Sequence, residues 1–145
     1  LTPSSLPRID ALNARLSPRT GWEVVAVEGY LDARDFFALL AQRRFPSTTH
    51  LRPADALDYI PAPDIFHDVF GHVPLHADPV FADLLQRFGQ IGTRARSTVA
   101  VTAVQRLFWF TVEFGLVREG GAPRLYGSGQ VSSIAEERHA LGDTC

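Results

Sequence analysis

The chain has one cysteine, no block of like charge and little net charge. The cysteine is Cys145, the last residue, so it cannot form an internal disulfide and the fold must depend on its core. A cytoplasmic, reducing setting is therefore expected. The formal net charge of −2 gives no electrostatic reason to expect nucleic acid or an anionic membrane as a partner.

A secretory signal and a convincing membrane span are also missing. Residues 1–6 have neither the basic start nor the apolar run of a signal peptide. Residues 98–117 are apolar, but Arg106 and Glu113 lie within them. Each of these charges would cost about 2.5–3.5 kcal/mol at the centre of a bilayer. We therefore expect a buried helix of a soluble protein here, and no membrane partner.

The pattern along the chain predicts one domain over residues 1–145, mainly α-helical with a small β component. The hydrophobic fraction of 46% and the charged fraction of 21% are ordinary for a globular protein. Asp32, Asp64 and Asp78 are predicted N-caps, and Ser133 begins a capping box. The predicted elements are helices over 7–16, 32–43, 78–88 and 96–117, a strand over 22–27, an extended segment over 48–52 and a turn at 127–129.

Two histidines five residues apart, His67 and His72, lie in an apolar segment. A lone histidine in such a setting is more often a hydrogen-bonded core residue than a ligand, but a pair weakens that interpretation. In a regular helix this spacing turns the second imidazole about 140° away from the first. Both side chains can then reach one ion only if the helix ends between them, and Gly71 is where it is predicted to end.

A third ligand is needed, and Glu113 is the strongest candidate because it is the one acid in an apolar helix. Coordination of a metal offsets the cost of burying a carboxylate. The alternative is a buried ion pair with Arg106 or Arg124. Two histidines and a carboxylate are typical of iron(II) oxygenases but also hold catalytic zinc, and the spacing does not separate these two.

Three longer motifs carry a resemblance to a known family. Residues 63–74 (PDIFHDVFGHVP), 107–116 (LFWFTVEFGL) and 125–133 (LYGSGQVSS) resemble, in order, signatures of the tetrahydropterin-dependent aromatic amino acid hydroxylases. Residues 43–46 and 78–83 are most similar to the bacterial phenylalanine 4-monooxygenase branch. The similarity extends from about residue 6 to residue 141. Three long motifs in the right order are far more specific than the histidine pair alone.

The resemblance implies the catalytic-domain fold of that family and the activity of a non-haem iron monooxygenase. Its substrates would be L-phenylalanine or another aromatic amino acid, O₂ and a tetrahydrobiopterin-type cofactor. His67, His72 and Glu113 would bind Fe(2+). The chain is short for the family at both ends, so it is either a shortened member or part of a longer polypeptide, and it is expected to be a monomer or to self-associate.

The resemblance also implies residues for the two organic molecules. Arg52 would pair with the substrate carboxylate, and Asp64 would organise that end of the pocket. Pro63 and Trp109 would contact the substrate ring, and Ser132 would orient His67. Phe36 and Leu31 would contact the pterin. From the residues alone, core packing would be favoured for Phe36 and Trp109.

Some positions depart from the family pattern, and several functions stay open. Phe108 replaces a usual tyrosine, Ala62 replaces a usual glutamate, and Ile60 stands where several relatives are polar. The alternatives are a different aromatic substrate or ring position, or a metal-binding module without hydroxylase activity. A hydrolytic zinc enzyme is more distant, since Asp68 is the sole acid beside the histidines that could act as a general base.

Overall fold

The computed structural model describes residues 8–56, 58 and 62–142. The predictions made for Ile60 and Cys145, and for the start of the first helix at residue 7, lie outside these described residues. Within them the prediction of a mainly helical fold with little sheet is confirmed.

The first half of the chain builds a β–α–β unit behind an N-terminal helix. Helix α1 covers Ile9–Thr20, strand β1 Glu23–Ala26, helix α2 Ala33–Ala41 and strand β2 Arg44–Ser47. The two strands are parallel. Asp32 caps α2 as predicted, because its side chain accepts hydrogen bonds from the backbone N–H groups of Arg34 and Asp35.

Two predicted boundaries in this half are wrong. Helix α1 does not stop at Ser17 but runs past Pro18 and ends at Gly21, whose positive φ of 73° closes the helix. Helix α2 ends at Ala41, two residues before its predicted end, and Pro46 lies inside β2. Proline is tolerated there because, among the described residues, this sheet has two strands and each is an edge strand.

The middle of the chain contributes a long helix that packs on α2. After a short helix α3 over Val73–His76, helix α4 covers Pro79–Arg94 and is capped by Asp78 as predicted. It continues beyond the predicted end near Phe88, because Gly89 and Gly92 lie against α2. A side chain at either glycine would overlap the backbone of Ala41 or the ring of Phe37, respectively.

The predicted long helix over 96–117 is shorter and less buried than expected. Helix α5 covers Thr98–Phe108, a π-helical turn covers Trp109–Glu113, and strand β3 begins at Leu116. Its interior side buries Phe108 and Val112, whereas Val99 and Phe110 are 80% and 71% exposed. The apolar character on all sides therefore does not mean that this helix is central, since one side of it faces outward.

The last part of the chain is a hairpin followed by two helices. Strands β3 (Leu116–Glu119) and β4 (Ala122–Leu125) are antiparallel, so the turn lies at 120–121 and not at 127–129 as predicted. Residues Ser128–Val131 instead form the short helix α6. The capping residue Ser133 accepts a hydrogen bond from the Glu136 N–H and begins helix α7, which covers Ile134–Leu141.

The core lies between the β–α–β unit and helix α4. Its fully buried side chains include Trp22, Phe37, Leu40 and Leu85. The Trp22 indole N–H donates to the Ala82 carbonyl at 3.2 Å, which joins the connection between α1 and β1 to α4. Among the helices of the described residues, none is both long enough and apolar enough to cross a membrane.

Candidate metal centre

The two histidines lie on a π-helical turn that covers His67–His72. The predicted helix break at Gly71 is wrong, because the chain continues through this turn into α3. In a π-helix the hydrogen bonds span five residues, and the Val73 N–H accordingly donates to the Asp68 carbonyl. Residues five apart then share one side of the helix, so the wider turn brings both imidazoles together without a break.

Gly71 has a different role from the one predicted. A side chain there would place its Cβ 2.6 Å from the backbone oxygen of Ser128. The glycine therefore allows α6 to lie directly against the histidine turn. Its role is close packing between two elements that both supply residues to the site.

Glu113 is the last residue of a second π-helical turn, Trp109–Glu113. Its carboxylate approaches both histidines: Oε1 lies 2.9 Å from the Nε2 of His72, and Oε2 lies 3.7 Å from the Nε2 of His67. The alternative partner Arg124 instead lies beside Glu119, at 3.7 Å. The geometry therefore supports contacts of Glu113 with the two histidines and not an ion pair with an arginine.

The three side chains have the geometry of a ligand set for one ion. Their donor atoms all lie within 4.8 Å of one another. Among the residues that the structure describes, the cluster consists of these three side chains. The Nε2 atoms of His67 and His72 are 3.0 Å apart. Two nitrogens that bind one ion at right angles, each about 2.1 Å away, are also separated by about 3.0 Å. The residues present therefore fit a metal with further coordination positions open.

Ser132 determines which nitrogen of His67 is free to bind a metal. The Ser132 hydroxyl donates its proton to the Ser128 carbonyl at 2.7 Å. Its oxygen therefore accepts from the Nδ1–H of His67, at 2.8 Å. The lone pair of this imidazole then lies on Nε2, the atom that points to Glu113. This contact agrees with the orienting role that the family resemblance implies for Ser132.

The electrostatics suit a divalent cation. Burial lowers the pKa of His67 to about 4, with help from neighbouring His72, so this imidazole is neutral at pH 7. Burial acts to raise the pKa of Glu113, but the contacts with His72 and His67 outweigh it and lower the pKa to about 2. Burial likewise opposes a charged His72, yet Glu113 raises its pKa. A proton and a cation would thus compete for the same nitrogen of His72.

Arg52 and Asp64 form a buried pair beside the histidine turn. The guanidinium donates to both carboxylate oxygens of Asp64 at 2.8 and 2.9 Å, and to the Ser132 carbonyl at 3.1 Å. Asp64 also accepts from the His67 N–H at 2.9 Å, as expected of an N-cap. Burial acts to raise the pKa of Asp64, but these hydrogen bonds outweigh it and lower the pKa to about 2. Asp64 therefore fixes both Arg52 and the start of the histidine turn.

Two cavities meet at two of the three candidate ligands. The first, of about 270 Å³, contains both residues that were predicted to contact a pterin, Leu31 and Phe36. Phe36 also packs edge-on against Phe108, with 5.4 Å between ring centroids. The alternatives of core packing and ligand contact are therefore compatible for Phe36. Phe108 lines the same cavity, so the position at which the family usually has a tyrosine lies next to the candidate metal centre.

The second cavity, of about 240 Å³, collects most of the predicted substrate residues. Arg52, Pro63, Trp109 and Ser132 line it, whereas Asp64 is fully buried behind Arg52. Trp109 is 54% exposed, so the core-packing alternative does not describe it. The two cavities share four residues, which are Pro63, His67, Trp109 and Glu113.

Sequence reasoning missed several residues of this centre. Ser128 is fully buried and contacts Glu113, and Glu136 lines the second cavity. Asp68 was considered only as the general base of a more distant alternative, a hydrolytic zinc enzyme. Its Oδ2 instead accepts from the backbone N–H and hydroxyl of Thr48, which ties the histidine turn to the end of β2. Ser128 could have been found, because it precedes Ser132 by one helical turn in the third motif.

Comparisons with known proteins agree with this geometry. The sequence model of the biopterin-dependent aromatic amino acid hydroxylases matches residues 1–145. A phenylalanine-4-hydroxylase from Ralstonia nicotianae is 49% identical over 136 residues, which are 94% of this chain and 44% of the relative. The chain therefore spans about half the length of the curated relatives it matches.

Solved structures show the same relation. The apo structure of a cold-active phenylalanine hydroxylase from Colwellia psychrerythraea 34H aligns with a TM-score of 0.94 at 36% identity, over 99% of this chain and 55% of that one. A Chromobacterium violaceum phenylalanine hydroxylase, with bound iron(III) and oxidised 7,8-dihydrobiopterin, aligns with a TM-score of 0.91 at 45% identity, over 96% and 51%. The fold that the resemblance implied is thus confirmed for the described part of the chain.

Proposed function

Because the chain belongs to the biopterin-dependent aromatic amino acid hydroxylase family, we propose that it is a pterin-dependent iron(II) monooxygenase of an aromatic amino acid. The proposed reaction is the conversion of L-phenylalanine to L-tyrosine, since the relatives reported above are named phenylalanine hydroxylases. The observation that carries the proposal is the convergence of His67, His72 and Glu113 beside two cavities, both of which are lined by His67 and Glu113.

His67, His72 and Glu113 are the proposed ligands of the iron. They offer two imidazole nitrogens and one carboxylate and leave the other coordination positions open, as in iron(II) oxygenases. When bound, iron(II) and a reduced pterin supply the activation of O₂ and the two electrons that monooxygenation requires. The protein's own contribution is to hold the donor atoms in place and to orient the organic substrates beside them.

The second cavity is the proposed site of the amino acid. Arg52 offers a guanidinium suited to a carboxylate, and its fork is already oriented by Asp64. The carboxylate of Glu136 lines the same cavity and adds the opposite charge. A zwitterionic amino acid therefore finds both signs of charge, while Trp109 and Pro63 border the space for its ring.

The first cavity is the proposed site of the pterin. Phe36 can stack on a flat bicyclic ring, and Leu31 lies in the same wall. The lining is rich in apolar side chains, which suits the exclusion of water from the reacting centre. A pterin bound here would lie on the other side of the ligand cluster from the amino acid, so that both could reach one metal ion.

The direct test is turnover by the purified chain. Protein loaded with Fe(II) is mixed with tetrahydrobiopterin, O₂ and L-phenylalanine, and tyrosine is measured by chromatography. We expect tyrosine above both an iron-free control and the Glu113→Gln variant. Tyrosine at the level of the iron-free control would contradict the proposed reaction.

Two further measurements separate the remaining alternatives. Product analysis with phenylalanine, tyrosine and tryptophan identifies a different substrate or ring position. Equilibrium dialysis against Fe(II), together with quenching of protein fluorescence by the pterin, separates an oxygenase from a simple metal-binding module. A module would retain metal binding without pterin binding, and an absence of metal binding would exclude both.

A further inference from the structure

Helix α6 carries two hydroxyl groups that contact two different candidate ligands. Ser132, just after the helix, bonds to His67, while Ser128, at its start, lies 3.0 Å from the Oε2 of Glu113. The two serines are four residues apart and are joined by the hydrogen bond from the Ser132 hydroxyl to the Ser128 carbonyl. Family resemblance implied a role for Ser132 alone.

The Ser128 hydroxyl has two acceptors within reach but a single proton. One is the Glu113 carboxylate at 3.0 Å, and the other is the Val112 carbonyl at 3.1 Å. Hydrogen bonds to an ionised group are roughly twice as strong as those between neutral groups. A carboxylate that binds a metal ion is ionised, whereas the Val112 carbonyl is neutral. The carboxylate is therefore the preferred partner.

The contact restrains the carboxylate through one of its oxygens. Ser128 bonds to Oε2, which lies 3.7 Å from the Nε2 of His67, whereas Oε1 lies 2.9 Å from the Nε2 of His72. Both oxygens therefore face the histidines while the serine bonds to one of them. Rotation of the carboxylate away from the histidines would break the hydrogen bond to a fully buried hydroxyl, which is costly.

The position of Ser128 is itself well determined. Its backbone lies against Gly71, where no side chain intervenes between α6 and the histidine turn. Any shift of Ser128 would therefore require the histidine turn to move as well. The serine thus links the two π-helical turns that supply the three ligands.

We propose that Ser128 is a positioning residue that holds the Glu113 carboxylate toward His67 and His72 and so strengthens metal binding at this site. The inference rests on the proposed function, since it takes the three side chains as metal ligands. Partners that orient a ligand from behind typically change metal affinity or activity by about 10–100-fold when they are removed.

Co(II) titration of the chain tests the proposal, because Co(II) absorbs visible light and its bands weaken as the coordination number rises. We expect Ser128→Ala to raise the Co(II) dissociation constant by about 10-fold or more and to change the visible bands, because the released carboxylate can adopt another arrangement at the ion. Ser128→Cys keeps a weaker donor of similar size and is expected to lie between the wild type and Ser128→Ala.

Thermal unfolding of the metal-free proteins supplies the matched control. If Ser128 only caps the Val112 carbonyl, Ser128→Ala loses stability but keeps the wild-type Co(II) affinity and spectrum, and the proposal is overturned. Should Ser128→Ala not fold, the same criteria apply to Ser128→Cys. Wild-type protein that binds no Co(II) or Fe(II) would instead contradict the proposed function itself.

Discussion

The two π-helical turns both supply candidate metal ligands, but different kinds of contact hold them in place. The histidine turn, His67–His72, is largely buried and is held by polar contacts from Asp64, Asp68 and Ser132. The turn over Trp109–Glu113 buries only Val112 and leaves its aromatic side chains largely exposed. One candidate metal centre thus combines a turn fixed by hydrogen bonds with a turn fixed by apolar packing.

The support of the second turn comes from the helix before it. Phe108, at the end of α5, is 6% exposed and packs edge-on against Phe36 and Phe88, with 5.4 Å between centroids in each case. The polar support of the first turn requires buried charges to be paired, whereas the support of the second requires close packing. The two turns should therefore respond to different substitutions.

Loss of a ligand should have the largest effect, whichever turn supplies it. Glu113→Gln on the second turn and His72→Ala on the first should each weaken Fe(II) binding by more than about 100-fold, because a partner that only orients a ligand already contributes about 10–100-fold. Equilibrium dialysis measures the affinity. Glu119→Gln, at an exposed acid on β3, is the control. Wild-type affinity in either ligand variant would exclude that residue as a ligand.

The polar support of the first turn is tested by Asp64→Asn. This change leaves the buried Arg52 guanidinium without its carboxylate, and breaking a buried ion pair in this way costs about 3–5 kcal/mol. Urea denaturation measures the free energy of unfolding. Asp55→Asn, at an exposed acid, should change it by less than about 0.5 kcal/mol. Equal effects of the two substitutions would show that the buried pair does not hold this turn.

The apolar support of the second turn is tested by two nearby phenylalanines. Phe108→Ala should cost about 3–5 kcal/mol, as expected for a buried aromatic side chain. Phe110→Ala, two residues later and 71% exposed, should change the free energy of unfolding by less than about 0.5 kcal/mol. A large loss from Phe110→Ala would mean that the outward side of this turn is covered in the folded protein.

The smallest effect expected is a dependence on acidic pH that belongs to the first turn. The pKa of Asp64 falls from 3.8 to about 2 on folding, so its ion pair stabilises the folded state above pH 4. That contribution should be lost as the pH falls from about 4 to about 2. The difference in unfolding free energy between wild type and Asp64→Asn should shrink over this range. A difference that stays constant down to pH 2 would contradict the lowered pKa.

The sequence predicted the residues of the candidate metal centre more reliably than the backbone geometry that brings them together. The three candidate ligands and several cavity residues could be named from the motifs and the family resemblance, because the chemistry of a site restricts which residue types occur. Ser128 and Glu136 were missed. The π-helical turns were not predicted, since five-residue spacing contradicts a regular helix and suggested a break at Gly71. The extent of α4 was also missed, because two glycines resemble a helix end until α2 is seen packed against them.

What the sequence determined by itself was local: the caps at Asp32, Asp78 and Ser133, the mainly helical composition and the choice of three candidate donors. Only the tertiary structure decided how the Glu113 carboxylate faces the histidines, which side of α5 is exposed and how Ser128 joins the two turns. The physical reason is the separation along the sequence of the groups that interact. A cap or a helical period depends on neighbours a few residues away, whereas the orientation of a buried carboxylate depends on groups that the folded chain brings from far apart.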